Sequence, residues 1–287
     1  MSWFKRITIN YHYIETLNTN FSTHLNSELV TAYNTDKAFS FEKGPSHFLV
    51  KVNDKIELDG NIAYFISLVK EKNTGTVCFN DNDIYDIPVA DGKIGELHYA
   101  LIIPTLNIIL SFAASGGGSV GNFKKFLVEL AVDGNIALMP VLENKIDIQT
   151  LSWDFYKKIN ISLRFPNHEY QAEFMASKAG TLFGLLDEVD GLNVNITVAA
   201  PKAKQRLNAT QIKKVTKTLL ANEFCNKLIL KGADDAGKKI QEFDLKNAQV
   251  KYKEFIKVTG SYINEFEALP LLKRAYNDRK HEFIGAV

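Results

Sequence analysis

Cysteine is scarce in this chain of 287 residues: Cys78 and Cys225 stand far apart and outside any CxxC. That spacing supplies neither a disulfide framework nor a thiolate zinc set, and it fits a reducing compartment. Histidine is no better arranged for metal. His12, His24, His47, His98, His168 and His281 never pair at i+2 to i+4, and where His168-Glu169 could open an HExxH motif the second ligand position is Ala172. GxSxG is missing, and neither cysteine has a local catalytic signature. The start, MSWFKRITINYHY, has no apolar h-region, so no signal peptide is expected. The resulting expectation is a cytoplasmic protein without a cofactor or metal.

Charge is absent over another stretch. No Asp, Glu, Lys or Arg occurs from Leu97 to Phe123, and LHYALIIPTLNIILSFAAS looks at first like a membrane span. Pro104 and Asn107 interrupt it, His98 sits at its start, and Tyr, Ile and Phe are frequent. Two buried strands around the Pro-Thr corner account for the run better.

Acid is what the third stretch lacks. The chain balances 34 basic against 33 acidic residues, yet Gly191 to Asn222 holds no Asp or Glu. Within it, APKAKQRLNATQIKKVTKTLLAN (200–222) carries Lys202, Lys204, Arg206, Lys213, Lys214 and Lys217. Asn208 or Thr210 caps a helix over about 209–222. At 100° per residue Ile212, Val215 and Leu219 form a buried stripe, and the three helical lysines spread over about 100° on the other side. A helix built for stability alone gains from Glu–Lys pairs at i,i+4, and this one forgoes them. Lysine near a helix start opposes the helix dipole unless an anion binds there. The plain alternative is a solvated lysine face. The functional one is a track for nucleic-acid backbone, salt-sensitive and indifferent to base sequence, because no Arg/Asn/Gln-rich recognition helix is visible.

Elsewhere the hydrophobic periodicity predicts strands at 6–15, 47–52, 62–69, 76–79, 97–103, 106–113, 135–142, 160–165, 193–200, 225–232 and 238–245. Helices are expected at 21–33 with Ser22 as cap, 123–132, 151–159, 169–187 and 261–283, the last interrupted by Pro270. Strands outnumber helices and no βαβ repeat is evident. The class is therefore α+β, mainly antiparallel sheets with flanking helices, in two domains, with a cut near 146–150.

Two chemical motifs compete with the binding reading. Gly116, Gly118 and Gly121 match GxGxxG between a strand and a helix, but no acid closes a second parallel strand, and Asn122 stands where a P-loop needs Lys. Asp133, Glu143 and Lys145 give D-x9-ExK, the pattern of a metal-dependent nuclease, with the ExK falling after its strand instead of within it.

The order of features over 97–245 resembles the RexA phage-exclusion family. The matching pieces are the paired apolar strands, the helix at 123–132, NIALMPVL, GTLFGLLDEVDGLNVNITV (180–198), the Pro201–Lys204 segment, IKKVTK (212–217) and ADDAGKKI (233–240). The glycine loop at 115–121 departs from that pattern. The resemblance implies a homodimeric, non-enzymatic DNA-binding sensor acting in abortive infection with a membrane-channel partner of the RexB type. It also implies a fold akin to RdgC, whose dimer surrounds DNA. On that basis Lys202, Lys204, Arg206, Lys213, Lys214 and Lys217 would touch phosphates of duplex DNA. Residues 149–235 would form a mobile insertion in a globular domain of 1–148 and 236–287. Lys231, Gly232, Ala233, Asp234, Asp235 and Ala236 would be its hinge. The apolar C-terminal positions Phe266, Leu269, Leu271 and Leu272 are candidates for the dimer contact.

Overall fold

The structure is a computed structural model that describes residues 3–36, 38–43, 46–71, 77–79, 84–86, 95–113, 118–131, 136–143, 153–165, 193–201, 205–222, 224–234, 240–258 and 263–284. In chain order the elements are β1 (Trp3–Glu15), α1 (Phe21–Thr35), β2 (Phe39–Lys43), β3 (Ser46–Leu58), β4 (Asn61–Glu71), β5 (Val77–Phe79), β6 (Ile84–Asp86), β7 (Gly95–Ile103), β8 (Ile108–Phe112) and α2 (Gly118–Ala131). They continue as β9 (Ala137–Pro140), β10 (Phe155–Arg164), β11 (Asn193–Ala199), α3 (Ala209–Leu220), β12 (Cys225–Ala233), β13 (Gln241–Asp244), β14 (Lys251–Val258) and α4 (Glu265–Arg279). The class is α+β with antiparallel sheets, as the sequence indicates.

The large sheet runs β14-β1-β8-β7-β4-β3-β2, with β9 following β14 along the same edge of β1. Its centre is covered on both faces. Tyr64, Ile66, Leu68, Ala100 and Ile102 pack under α1 and α2, while Ala63, Phe65, Tyr99 and Leu101 pack under α4. Double coverage explains the charge-free run: β7 and β8 lack a solvent face on which polar residues could alternate. Pro104–Leu106 forms a 3-10 turn between them, and Asn107 takes the left-handed conformation at φ 49°. Tyr11 donates its hydroxyl proton to Ala275 O at 2.6 Å, pinning α4 to β1.

The second sheet runs β11-β10-β12-β13 and is drawn from the stretch between β9 and β14. α3 covers one face with Ile212, Leu219 and Leu220 against Ile159, Ile161, Leu228 and Leu230. The same apolar cluster takes in Met139, Leu142 and Tyr13 from the large-sheet side, so the two sheets share a core at this junction. The expected insertion boundary at 235 differs from the sheet itself, which includes β13 at 241–244.

Several local expectations change. Residues 155–164 form one strand where a helix was expected at 151–159. Tyr156, Ile159, Ile161 and Leu163 enter one core cluster, and the bulge between Tyr156 and Lys158 breaks their alternation in the sequence. α1 is preceded by Asn20 without a side-chain cap, and Ser22 donates instead to Pro104 O at 2.6 Å. Pro270 lies inside α4 without ending it, and Asn264 with Glu267 forms a reciprocal capping box at its start. The helix expected at 169–187 lies outside the described residues.

Candidate nucleic-acid interface

α3 is built as its sequence indicates. The Asn208 side chain accepts from the Gln211 N–H at 3.0 Å, and the buried side consists of Ile212, Thr216, Leu219 and Leu220. Val215 is only half-buried, so Thr216 takes the place that the helical count gave to valine. At the other end the Lys246 ammonium donates to Leu220 O and Asn222 O, both at 3.0 Å, which satisfies terminal carbonyls and complements the dipole.

Lys214 is exposed and Lys213 half-exposed, and neither ammonium has a charged or hydrogen-bonded partner among the described residues. Lys217 differs. Its Nζ lies 2.6 Å from Glu15 Oε2 at the end of β1. The helix sequence offers no carboxylate, but the fold brings one in from residues about two hundred positions away, so Lys217 is not the open cation expected. Arg206 is exposed and donates from Nη1 to Asp154 O at 3.3 Å. Lys157 joins this neighbourhood, donating to Gln205 O at 2.9 Å and lying 5.3 Å over the Phe155 ring. Lys202 and Lys204 lie outside the described residues.

The hinge positions divide. Lys231, Gly232 and Ala233 are inside β12; Lys231 and Gly232 are laddered to both β10 and β13, and Lys231 pairs with Glu242. Gly232 sits against the Trp153 ring, where a Cβ would come within 2.5 Å of Trp153 and 2.8 Å of Phe155 O. Asp234 is the exposed bend after the strand, and Asp235 and Ala236 lie outside the described residues. Of the dimer candidates, Leu271 and Leu272 are buried in the chain's own core and Leu269 packs against it; Phe266 is 82% exposed.

The competing chemistry gains little. Asp133 and Lys145 lie outside the described residues, while Glu143 donates its backbone N–H to Ala248 O at 2.8 Å. Among the described residues, no group of three or more His, Cys, Asp and Glu side chains could hold a metal ion. Gly118 and Gly121 are helical in α2, Asn122 is buried, and Gly116 is not described. β8 and β9 do run parallel on either side of β1 with α2 between them, a split crossover that the sequence pattern does not reveal. No described helix is long and apolar enough to cross a membrane.

Two histidines are buried on the large sheet with an unpartnered ring nitrogen, Nδ1 of His12 and Nε2 of His98. Burial, with help from Lys246 and Lys251, pushes the His12 pKa down to about 3, and burial lowers that of His98. Burial likewise raises the pKa of the Cys225 thiol.

Residues 50–282 match the model of DUF6731, a family of unknown function. The chain belongs to that family. The match takes in α3, β14 and α4 and leaves β1, which supplies Glu15, outside. No curated protein matches the chain.

Within the DUF6731 span lies a set of residues that sequence reasoning passed over. VKYKEFIKV (250–258) contains β14, and its alternation was legible: Tyr252 and Ile256 turn to the α4 core while Lys251, Lys253, Phe255 and Lys257 take the other face. Pairing with β1 sets Phe4 opposite Lys257, Arg6 opposite Phe255, Thr8 opposite Lys253 and Asn10 opposite Lys251.

Proposed function

We propose that the protein binds nucleic-acid backbone without reading base sequence, through the outer face of α3 and the loop before it. The observation that carries this reading is the pair Lys213 and Lys214. Both extend from a capped helix whose opposite side is fixed in the core, and no described carboxylate neutralises them. Arg206 and Lys157 extend the positive surface toward the helix start. Cations such as Lys213 and Lys214, held on a rigid element and left without partners among the described residues, release counterions from phosphates at little ordering cost.

The resemblance to the RexA family supports a narrower version: a homodimeric sensor in phage exclusion that clamps duplex DNA and signals to a membrane-channel partner, with 149–235 as its moving part. On this reading no bond is made or broken in the DNA.

The test is fluorescence anisotropy with an unrelated duplex across a salt series, comparing the parent chain with Lys213→Glu/Lys214→Glu. Lys217 is left intact because replacing it also breaks the Glu15 pair. The expected result is a steep salt dependence whose slope falls by about 2 in the variant, close to one for each phosphate no longer neutralised. Identical salt curves would remove α3 from the interface.

A further inference from the structure

The β1–β14 edge presents a second surface, separate from α3. Phe4 is 72% exposed and Phe255 is 69% exposed. They share a face with Arg6, Lys251, Lys253 and Lys257, and β1–β14 pairing places no acid on that face. Glu254, the one carboxylate of β14, points to the opposite side, where Arg274 holds it at 3.1 Å. Before Thr8 the described residues put no strand on the other edge of β1, so residues 3–7 and their β14 partners run as a two-stranded ribbon.

Lysines on an edge strand commonly guard it against pairing with another sheet. Exposed phenylalanines work against that purpose, since bare aromatic surface invites association. Each ring here stands directly across from a cation, Phe4 from Lys257 and Phe255 from Arg6. We propose that this ribbon face binds single-stranded nucleic acid, its two phenylalanines stacking on unpaired bases while Arg6, Lys251, Lys253 and Lys257 hold the phosphates. Single strands are bound elsewhere by this combination of aromatic platforms and a cationic track, which tolerates any sequence because every base has a π face. Duplex DNA keeps its bases stacked inside and offers such rings nothing. A second copy of the chain is a poor occupant, because a symmetric face-to-face contact would bring these cations toward one another. Two rings separated by charges also offer too little apolar area to anchor on a lipid surface.

Lys251 carries a supporting sign. It is half-buried, and burial together with the neighbouring Lys253 lowers its pKa. A bound phosphate supplies the missing counter-charge. Lys246, which caps α3, and Lys251 both act on His12, so positive groups continue from the end of α3 toward the ribbon.

The test compares a labelled single-stranded oligonucleotide of mixed sequence with its duplex, using Phe4→Ala/Phe255→Ala, Lys253→Glu/Lys257→Glu and Lys213→Glu/Lys214→Glu. Both phenylalanines are exposed, so the variant should keep the parent circular dichroism and melting point. The lysine pair tests the same face should it not. The phenylalanine variant is expected to lose about tenfold or more in single-strand affinity with duplex affinity unchanged. The Lys253/Lys257 variant should reduce the single-strand salt slope by about 1.4. Parent-level single-strand binding in both ribbon variants would overturn the proposal. It would also fall if the phenylalanine variant instead lost binding to anionic phospholipid vesicles, or turned a dimer into monomers in light scattering. A loss confined to the α3 variant on duplex would uphold α3 as the backbone track and leave the ribbon without a role.

Discussion

Lys217 on α3 and Glu15 at the end of β1 form an ion pair of 2.6 Å that joins the helix covering the small sheet to the first strand of the large one. Both side chains are about one-third exposed, at 37% and 35%, so water and salt screen the pair. Lys217→Met is expected to shift the urea midpoint by the equivalent of less than about 1 kcal/mol. It should leave duplex affinity at the parent value. A large drop in binding on this substitution would put Lys217 back among the residues that touch phosphate.

Gly232 touches the Trp153 ring so closely that no Cβ fits. Gly232→Ala should destabilise the protein by about 1–3 kcal/mol, the usual range for overpacking, because the obstacles are an aromatic ring and a backbone carbonyl. A urea melt with Gly60→Ala as comparison measures it. Gly60 has open space around its Cβ position, but its φ of +78° makes that substitution costly through the backbone instead. An unchanged midpoint for Gly232→Ala would mean that β12 stands off Trp153 in solution.

His12 makes the fold acid-sensitive. Its pKa falls from about 6.5 in the unfolded chain to about 3 in the folded one. The unfolded state therefore binds the proton first as pH drops. Stability is fully present above about 6.5 and is lost as pH falls from there toward about 3, at up to about 1.4 kcal/mol per pH unit. His98 adds a loss of the same sign. His12→Phe should flatten the dependence of the urea midpoint between pH 6 and about 4. A slope equal to the parent's would assign the acid sensitivity to other groups.

Cys225 is buried in β12 and its thiol is held above the usual range by burial, so little thiolate forms near neutral pH. In the native protein it should react with a maleimide far more slowly than in urea, which mass spectrometry can follow. Equal rates would show that β12 opens readily.

How much the sequence could tell varied with the kind of signal. β4, β7 and β8 were legible because apolar runs of strand length, broken by Pro104 and Asn107, have few other solutions. α3 was legible because Asn208 and the 3.6-residue stripe agree. The second half of β10 was legible as a strand at 160–165, but its first half was missed because the bulge at Tyr156 and Lys158 breaks the period from which strands are recognised. The partner of Lys217 was out of reach in principle, since Glu15 becomes its neighbour only through the shared core. β14 is the miss that mattered. Its alternation was in plain view, but a run of lysines and aromatics reads as a polar surface until β1 is laid against it.

β1 is paired along one edge with β14 and then β9, and along the other with β8. β1 therefore waits for residues 251–258 before that edge is complete. Pairs such as Ile7 with Glu254 span nearly the whole chain, a separation that slows folding by the entropy of closing so long a loop. During synthesis Phe4 and the apolar face of β1 stand without their partner strand, which is the condition that attracts chaperones. The nascent chain is thus exposed longest at the strand that ties the finished molecule together.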